Sequence, residues 1–407
     1  MIEVKEEREK VILFAVNLDD LSQTTASLEE LEELSKTAGV QVCSHCIQNR
    51  ENIHPTTYFG KGKIEELKEL IALEEADAVI CDDELSPAQI KHLTQELSIK
   101  VLDRTLLILD IFASRAFSYE GKVQVELAQL QYLSTRLKGM HSSLSRLGGG
   151  GGVGARRGPG EKKLELDRRV IQERMDHLRE KLDEVVKHRE VAKKQRKKNP
   201  IPLIALVGYT NAGKSTLLNA LTGENTLAKD ELFATLDSLT RSLTLENGQK
   251  VLLTDTVGFI RKLPHQIIQA FRSTLEEVRD ADLLLHVVDS THPDKEVQMA
   301  VVKETLKDLE ADNKDCLLIY NKCDQLSNVE EYSASVLCIS AKKKEGLDLL
   351  KQAVEKQLKE KQIYKEKLYS YQEVAQIQWV RQYAHILSEE YLDEGILIKA
   401  YLPNEEN

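Results

Sequence analysis

The run Leu203-Ile204-Ala205-Leu206-Val207-Gly208-Tyr209-Thr210-Asn211-Ala212-Gly213-Lys214-Ser215-Thr216-Leu217-Leu218-Asn219-Ala220-Leu221 decides the fold of the second half of the chain. Gly208 to Ser215 matches G-x-x-x-x-G-K-[ST], set between an apolar run of strand length and a helix-forming run, which is the context the phosphate-binding loop requires. Backbone N–H groups of such a loop and of the following helix N-terminus favour a phosphate. Lys214 should then reach the β- and γ-phosphates, and the Ser215 hydroxyl should ligate Mg²⁺.

Downstream runs extend the reading. Asp255-Thr256-Val257-Gly258 follows the strand-like Val251-Leu252-Leu253-Thr254. A carboxylate at that strand end can hold the Mg²⁺ shell, directly or through water, and the Gly258 N–H can sense a γ-phosphate. Asn321-Lys322-Cys323-Asp324 follows Leu317-Leu318-Ile319-Tyr320. There the Asp324 carboxylate can accept from guanine N1–H and N2–H₂, donors that adenine lacks in that pattern. Lys322 can lie along the base plane and Asn321 can tie the base loop to the phosphate loop. Ser340-Ala341-Lys342, after Val336-Leu337-Cys338-Ile339, offers a backbone N–H to guanine O6. Four motifs in this order resemble the translation-factor class of P-loop GTPases, and that resemblance implies bound GTP or GDP with Mg²⁺. Between the first two motifs, Phe233-Ala234-Thr235-Leu236-Asp237 offers Thr235 as the residue completing Mg²⁺ only when a γ-phosphate is present, with Thr240 and Thr226 as rivals. Lys214, Thr235 and Gly258 are the residues expected to act at the reacting phosphate. Phe259 stands where Ras-like enzymes carry a water-orienting Gln, so intrinsic hydrolysis should be slow. Asn211 resembles the Asn of potassium-assisted GTPases, in which K⁺ supplies charge where an arginine finger would sit.

Residues 1–112 alternate apolar runs of strand length (Val11 to Val16, Val40 to Cys43, Ala78 to Cys81, Lys100 to Leu102) with helical spacings such as Leu28, Leu31 and Leu34, the pattern of a parallel sheet built from βαβ units. Residues 113–199 change character. Leu127, Leu130, Leu133 and Leu137 on one side, and Ile171, Met175, Leu178 and Leu182 on the other, follow spacings of three and four, so two apolar-striped helices should form an antiparallel hairpin. Its tip is Gly-rich, because eight of the 20 glycines fall in residues 148–160. Residues 200–362 form the second α/β unit. Residues 363–407 read as a small α+β domain with a helix from Gln372 to Glu389 and a strand from Leu397 to Leu402.

The formal net charge of −11 argues against general nucleic-acid binding until it is divided along the chain. Residues 1–100 carry 21 Asp and Glu against 10 Lys and Arg, whereas residues 136–198 carry 19 Lys and Arg against nine Asp and Glu. Any RNA contact is therefore expected on the hairpin, through Arg146, Arg156, Arg157, Lys162, Lys163, Arg168 and Arg169. No apolar run reaches the length of a membrane span, and the N-terminus lacks a signal-peptide core. The six scattered cysteines read as reduced thiols. Cys43-Ser44-His45-Cys46 is the single pair suggestive of metal or redox chemistry, and it has no second CxxC partner.

Further segments carry a specific resemblance: Tyr58-Phe59-Gly60-Lys61-Gly62-Lys63, Asp82-Asp83-Glu84-Leu85-Ser86-Pro87, Val101-Leu102-Asp103-Arg104-Thr105, Gly158-Pro159-Gly160-Glu161 and Asp167-Arg168-Arg169. With the phosphate loop and Phe233-Ala234-Thr235-Leu236-Asp237 they resemble the HflX family, ribosome-associated GTPases of the Obg–HflX group, over nearly the whole chain. The family likewise has a hydrophobic residue at the position of Phe259. Lys162-Lys163 departs from the Thr-Gln of many members, which weakens transfer of hairpin contacts. The resemblance implies a cytoplasmic GTPase that binds the large (50S) ribosomal subunit and its rRNA in the GTP form and splits stalled or idle 70S ribosomes under stress. The alternative is a GTP-gated 50S assembly or hibernation factor that does not split ribosomes. A third reading, an ATP-driven RNA remodeler, would require separate ATP binding by residues 1–112. A monomer is expected, with peripheral membrane association left open.

Overall fold

The computed structural model describes residues 8–147, 159–198, 201–223, 232–233, 236–264, 267, 272–326, 336–360 and 362–403. The chain divides into two compact units. The first comprises residues 1–185 together with 231–233 and 261–271, and the second comprises 186–230, 234–260 and 272–407.

In the first unit, β1 (Lys10–Asn17), α1 (Leu21–Thr37), β2 (Gln41–Asn49), α2 (Lys61–Glu74), β3 (Ala78–Cys81), α3 (Pro87–Leu97) and β4 (Lys100–Asp103) alternate along the chain. The strands form one parallel sheet in the order β2-β1-β3-β4. Val11 to Val16 are buried on both faces, as an interior parallel strand demands. The helix ends are locally encoded. Ser86 Oγ accepts from Gln89 N–H (3.3 Å) and Gln89 Oε1 accepts from Ser86 N–H (2.9 Å), a reciprocal cap with Pro87 in the first turn. Asp103 caps α4 (Arg104–Arg115) by accepting from Leu106 N–H at 3.0 Å.

Two long helices follow, α5 (Tyr119–Leu147) and α6 (Pro159–Lys198). Val123 and Leu127 of α5 and Met175 and Leu178 of α6 form a single apolar cluster. At 40 residues, α6 is about 60 Å long, longer than the apolar stripe suggests. Its extension is polar, which the stripe cannot report. The side chains of Arg146, Lys162 and Lys163, and the whole of Gly148 to Gly158 with Arg156 and Arg157, lie outside the described residues. Arg168 and Arg169 are exposed, and Arg169 pairs with Glu173 at 2.9 Å.

In the second unit, a six-stranded sheet runs in the order β10-β9-β8-β5-β7-β6. Its strands are β5 (Leu203–Gly208), β6 (Leu239–Thr244), β7 (Lys250–Asp255), β8 (Leu283–Asp289), β9 (Cys316–Asn321) and β10 (Leu337–Cys338). All pairings are parallel except β6 with β7. Helices α7 (Lys214–Thr222), α8 (Arg272–Asp280), α9 (Lys295–Asp308) and α10 (Leu347–Glu360) accompany it. Leu206, Leu217, Leu253, Leu285, Ile319 and Leu350 share its core.

The C-terminal segment corrects the sequence reading. The expected helix Gln372 to Glu389 is a shorter α11 (Val374–Tyr383), followed by strand β12 (His385–Leu392). Strand β12 pairs antiparallel with β13 (Gly395–Pro403), which also pairs with β11 (Gln362–Tyr369). Trp379 and Tyr383 keep a helical spacing, but cross-strand pairing with Leu397 to Tyr401 takes over beyond Ala384. The adjoining Asp393-Glu394-Gly395 turn, with Gly395 at φ +157°, closes the hairpin.

Candidate nucleotide site

Strands β5, β7, β8, β9 and β10 all end at one edge of the six-stranded sheet, the carboxyl-terminal edge at which open α/β sheets bind ligands. Gly208 ends β5 so close to β8 that a Cβ there would stand 2.2 Å from Val287 O. Gly213 adopts φ +92°, and a Cβ would stand 2.2 Å from Asn321 Nδ2. Both positions therefore require glycine for close approach. Asn211 lies at φ +58°, a left-handed conformation that Asn tolerates, and is exposed.

Lys214 opens α7 and is buried. Its Nζ donates to Gly208 O at 3.1 Å and to Tyr209 O at 2.8 Å. Burial pulls its ammonium down to about 8, against which the Asp255 carboxylate works. Ser215 Oγ donates to Asp255 Oδ2 at 2.6 Å, joining the first motif to the second. Thr256 Oγ1 donates to Leu206 O at 2.6 Å. Val257 and Gly258 lead to Phe259, whose backbone pairs with the phosphate loop: Thr210 N–H donates to Phe259 O (2.8 Å) and Phe259 N–H to Gly208 O (3.1 Å). The Phe259 side chain is buried at 1% exposure, so it serves packing there. Tyr209 and Ala212 are buried, while Thr216 is half-buried on α7.

Asn321 joins three motifs. Its Nδ2 donates to Ala212 O (2.9 Å) and its Oδ1 accepts from Ala341 N–H (3.0 Å). Cys323 N–H donates to Ile339 O at 3.1 Å, and its thiol to Tyr320 O at 3.3 Å. The Ser340 hydroxyl holds the Asp324 carboxyl below its usual range, helped by Lys343. Ala341 is buried and Lys342 is exposed.

Two residues of this edge escaped the sequence reading. Asp289, the last residue of β8, accepts from Lys322 Nζ at 2.7 Å. Burial alone would raise its carboxyl, but Lys322 and Thr291 outweigh that and hold it below its usual range. An acidic residue at the end of a buried strand was the available signal. His286, inside β8, is pushed down to about 4 by burial and by the charge of Lys214, so it is neutral at ordinary pH.

Ala234 and Thr235 lie outside the described residues, as does the rival Thr226. Thr240 sits on β6, where its hydroxyl bonds the Thr254 hydroxyl at 3.1 Å. Leu236 is buried and Asp237 is half-buried. Phe233 belongs to the first unit, where its ring meets Phe112 edge-on at 4.6 Å. Cys43 and Cys46 lie on β2. Burial pushes the Cys46 thiol up to about 11, and among the described residues no cluster of three or more His, Cys, Asp or Glu could hold a metal. Among the described residues, no helix is long and apolar enough to cross a membrane.

Three family descriptions match successive segments: "GTP-binding GTPase N-terminal" over residues 25–113, "GTP-binding GTPase Middle Region" over 115–196 and "50S ribosome-binding GTPase" over 203–322. GTPase HflX of Lacrimispora saccharolytica is 54% identical, covering 100% of this chain and 96% of its own length. GTPase HflX of Caldanaerobacter subterraneus is 48% identical over 98% and 92%, respectively, and that of Escherichia coli 41% over 81% and 79%. A solved GTP-binding protein of Sulfolobus solfataricus in complex with GDP is 27% identical with a TM-score of 0.43, covering 86% of this chain and 98% of its own. With the phosphate loop and the N-K-x-D loop meeting at one sheet edge and relatives matching end to end, the chain is a GTP hydrolase and belongs to the HflX family of GTPases.

Proposed function

We propose that this protein is a GTP-gated factor that binds the large ribosomal subunit and its rRNA in the GTP form, splits stalled or idle 70S ribosomes under stress, and leaves on hydrolysis. The observation that carries the nucleotide reading is the linkage through Asn321, which joins the base loop to the phosphate loop by two hydrogen bonds. The ribosomal partner rests on the family description matched by residues 203–322.

Residues 208–216 cradle the phosphates, with Lys214 reaching the β- and γ-phosphates, and Asp324 reads guanine with Lys322, Cys323 and Ser340 to Lys342 around the base. Residues 233–237 and 255–258 answer to the γ-phosphate. A hydroxyl and a carboxylate 2.6 Å apart, Ser215 and Asp255, form a hard oxygen donor set that suits Mg²⁺. Thr235 would join Ser215 as a ligand, with Asp255 holding the Mg²⁺ shell directly or through water. Bound Mg²⁺ would neutralise charge developing on the β- and γ-phosphate oxygens. Asn211 is exposed at the phosphate loop and suits a K⁺ site. Faster GTP hydrolysis in KCl than in NaCl at equal ionic strength would support that site, and equal rates would remove it. Four domains are assigned: 1–112, 113–199, 200–362 and 363–407, in a monomer acting in the cytoplasm.

Sucrose gradients test the reading. With a non-hydrolysable GTP analogue, 70S should fall and free subunits rise, while GDP and ATP should leave the profile unchanged. Co-sedimentation with 50S and no loss of 70S would instead indicate a non-splitting assembly or hibernation factor. Lys214→Ala should abolish tight GTP binding and both effects.

A further inference from the structure

The motif Asp82-Asp83-Glu84-Leu85-Ser86-Pro87 follows β3 and has no part in the nucleotide site. Within the first unit its two aspartates hold one cation. Lys262 Nζ lies 2.5 Å from Asp82 Oδ2 and 2.6 Å from Asp83 Oδ1. The acidic pair is itself rigidly set. Asp82 is buried and accepts from Arg104 Nη1 (2.7 Å) and Ser27 Oγ (2.7 Å), while Asp83 Oδ2 accepts from the Tyr58 hydroxyl (2.5 Å). Arg104 is also paired with Glu30. Lys262 adopts φ +53°, so its backbone takes a strained turn at this contact.

Lys262 stands four residues beyond Gly258, so the chain between them spans at most about 14 Å. Lys262 is therefore tethered by the chain within that distance of Gly258. Gly258 lies close over the phosphate loop, where an added Cβ would meet Thr210 Cα at 2.8 Å and Lys214 Nζ at 2.9 Å. A γ-phosphate engaged by Lys214 would have to share this space with Gly258. Phe233, the first residue of the 233–237 segment, likewise belongs to the first unit, where it meets Phe112.

We propose that Asp82 and Asp83 are positioning residues for nucleotide discrimination, holding Lys262 so that the Gly258 loop resists the displacement that GTP requires and GDP does not. This rests on the assignment of Gly258 as the γ-phosphate sensor. Removing the lysine leaves neither carboxylate stranded, because Asp82 keeps Arg104 and Ser27 and Asp83 keeps Tyr58.

The test measures equilibrium affinities of the full chain for GDP and for a non-hydrolysable GTP analogue. Lys262→Ala and Asp83→Asn should each shift the affinity ratio towards the GTP analogue by fivefold or more, the lower range of measured couplings between sites. Affinity for GDP should change less than twofold, and Lys262→Arg should restore the wild-type ratio. An unchanged ratio, or an equal change for both nucleotides, overturns the proposal. Lys214→Ala separates the two readings. If that variant keeps tight binding of the GTP analogue, the nucleotide-site assignment itself fails, and if it loses binding while Lys262→Ala leaves the ratio alone, only this inference fails.

Discussion

Burial brings the Lys214 ammonium down to about 8, yet the phosphates it would hold require it charged. The proton balance follows directly. Below pH 8 the lysine already carries its proton and binding takes up little; above it, binding must draw a proton from solution. Affinity for GTP should therefore be nearly constant below pH 7 and fall as pH rises through 8. Calorimetry at pH 8.5 in buffers of different ionisation enthalpy should report about three-quarters of a proton taken up, and a buffer-independent heat would count against the role. At Asp324, replacement by Asn turns an acceptor oxygen into a donor. Asp324→Asn should cost guanine nucleotides about 10- to 100-fold in affinity, the scale of hydrogen bonds to a charged group, and should favour xanthine nucleotides, whose C2 carbonyl accepts. Competition binding with GTP and xanthosine triphosphate measures this.

At the scale of elements, local signals and tertiary pairing can be separated. The reciprocal cap of Ser86 with Gln89 is readable from Ser86-Pro87-Ala88-Gln89 alone, and Ser86→Ala should cost about 1 kcal/mol in denaturant unfolding with an unchanged slope. Asp103 combines local and distant partners. It caps α4 and also accepts from Leu85 N–H (3.0 Å), the Tyr132 hydroxyl (2.6 Å) and Arg136 (2.5 Å). Asp103→Ala should destabilise by about 3–5 kcal/mol, because it strands Arg136 and several buried donors. A loss near 1 kcal/mol would show that only the cap matters. Apolar runs such as Ala78 to Cys81 and Leu283 to Val288 announced their strands because interior parallel strands are buried on both faces. Strand β6 did not, since Leu239 to Thr244 alternate half-buried with exposed residues at an antiparallel edge. The end of α11 was equally hidden, because only pairing with β13 turns His385 to Leu392 into a strand.

At the scale of the whole molecule, charge follows segment rather than sum. Under the proposed rRNA contact, replacing the exposed Arg168 and Arg169 by Gln should weaken 50S binding. The slope of log affinity against log salt should also fall by about 1 for each phosphate that is no longer neutralised. Unchanged salt dependence would place RNA contact elsewhere. The nucleotide motifs lie far apart in sequence yet were legible without coordinates, because each couples a strand end to a short loop whose chemistry is local. Their order, the alternating strands and helices and the apolar stripes of α5 and α6 were determined by the amino-acid sequence itself. Tertiary structure alone decided that Asn321 bonds both Ala212 and Ala341, that Asp289 engages Lys322, and that residues 231–233 and 261–271 belong with the first unit. Such contacts join residues tens to hundreds of positions apart, as in the 180 that separate Lys262 from Asp82. No local periodicity encodes them, because they depend on how the folded backbone brings the charges together.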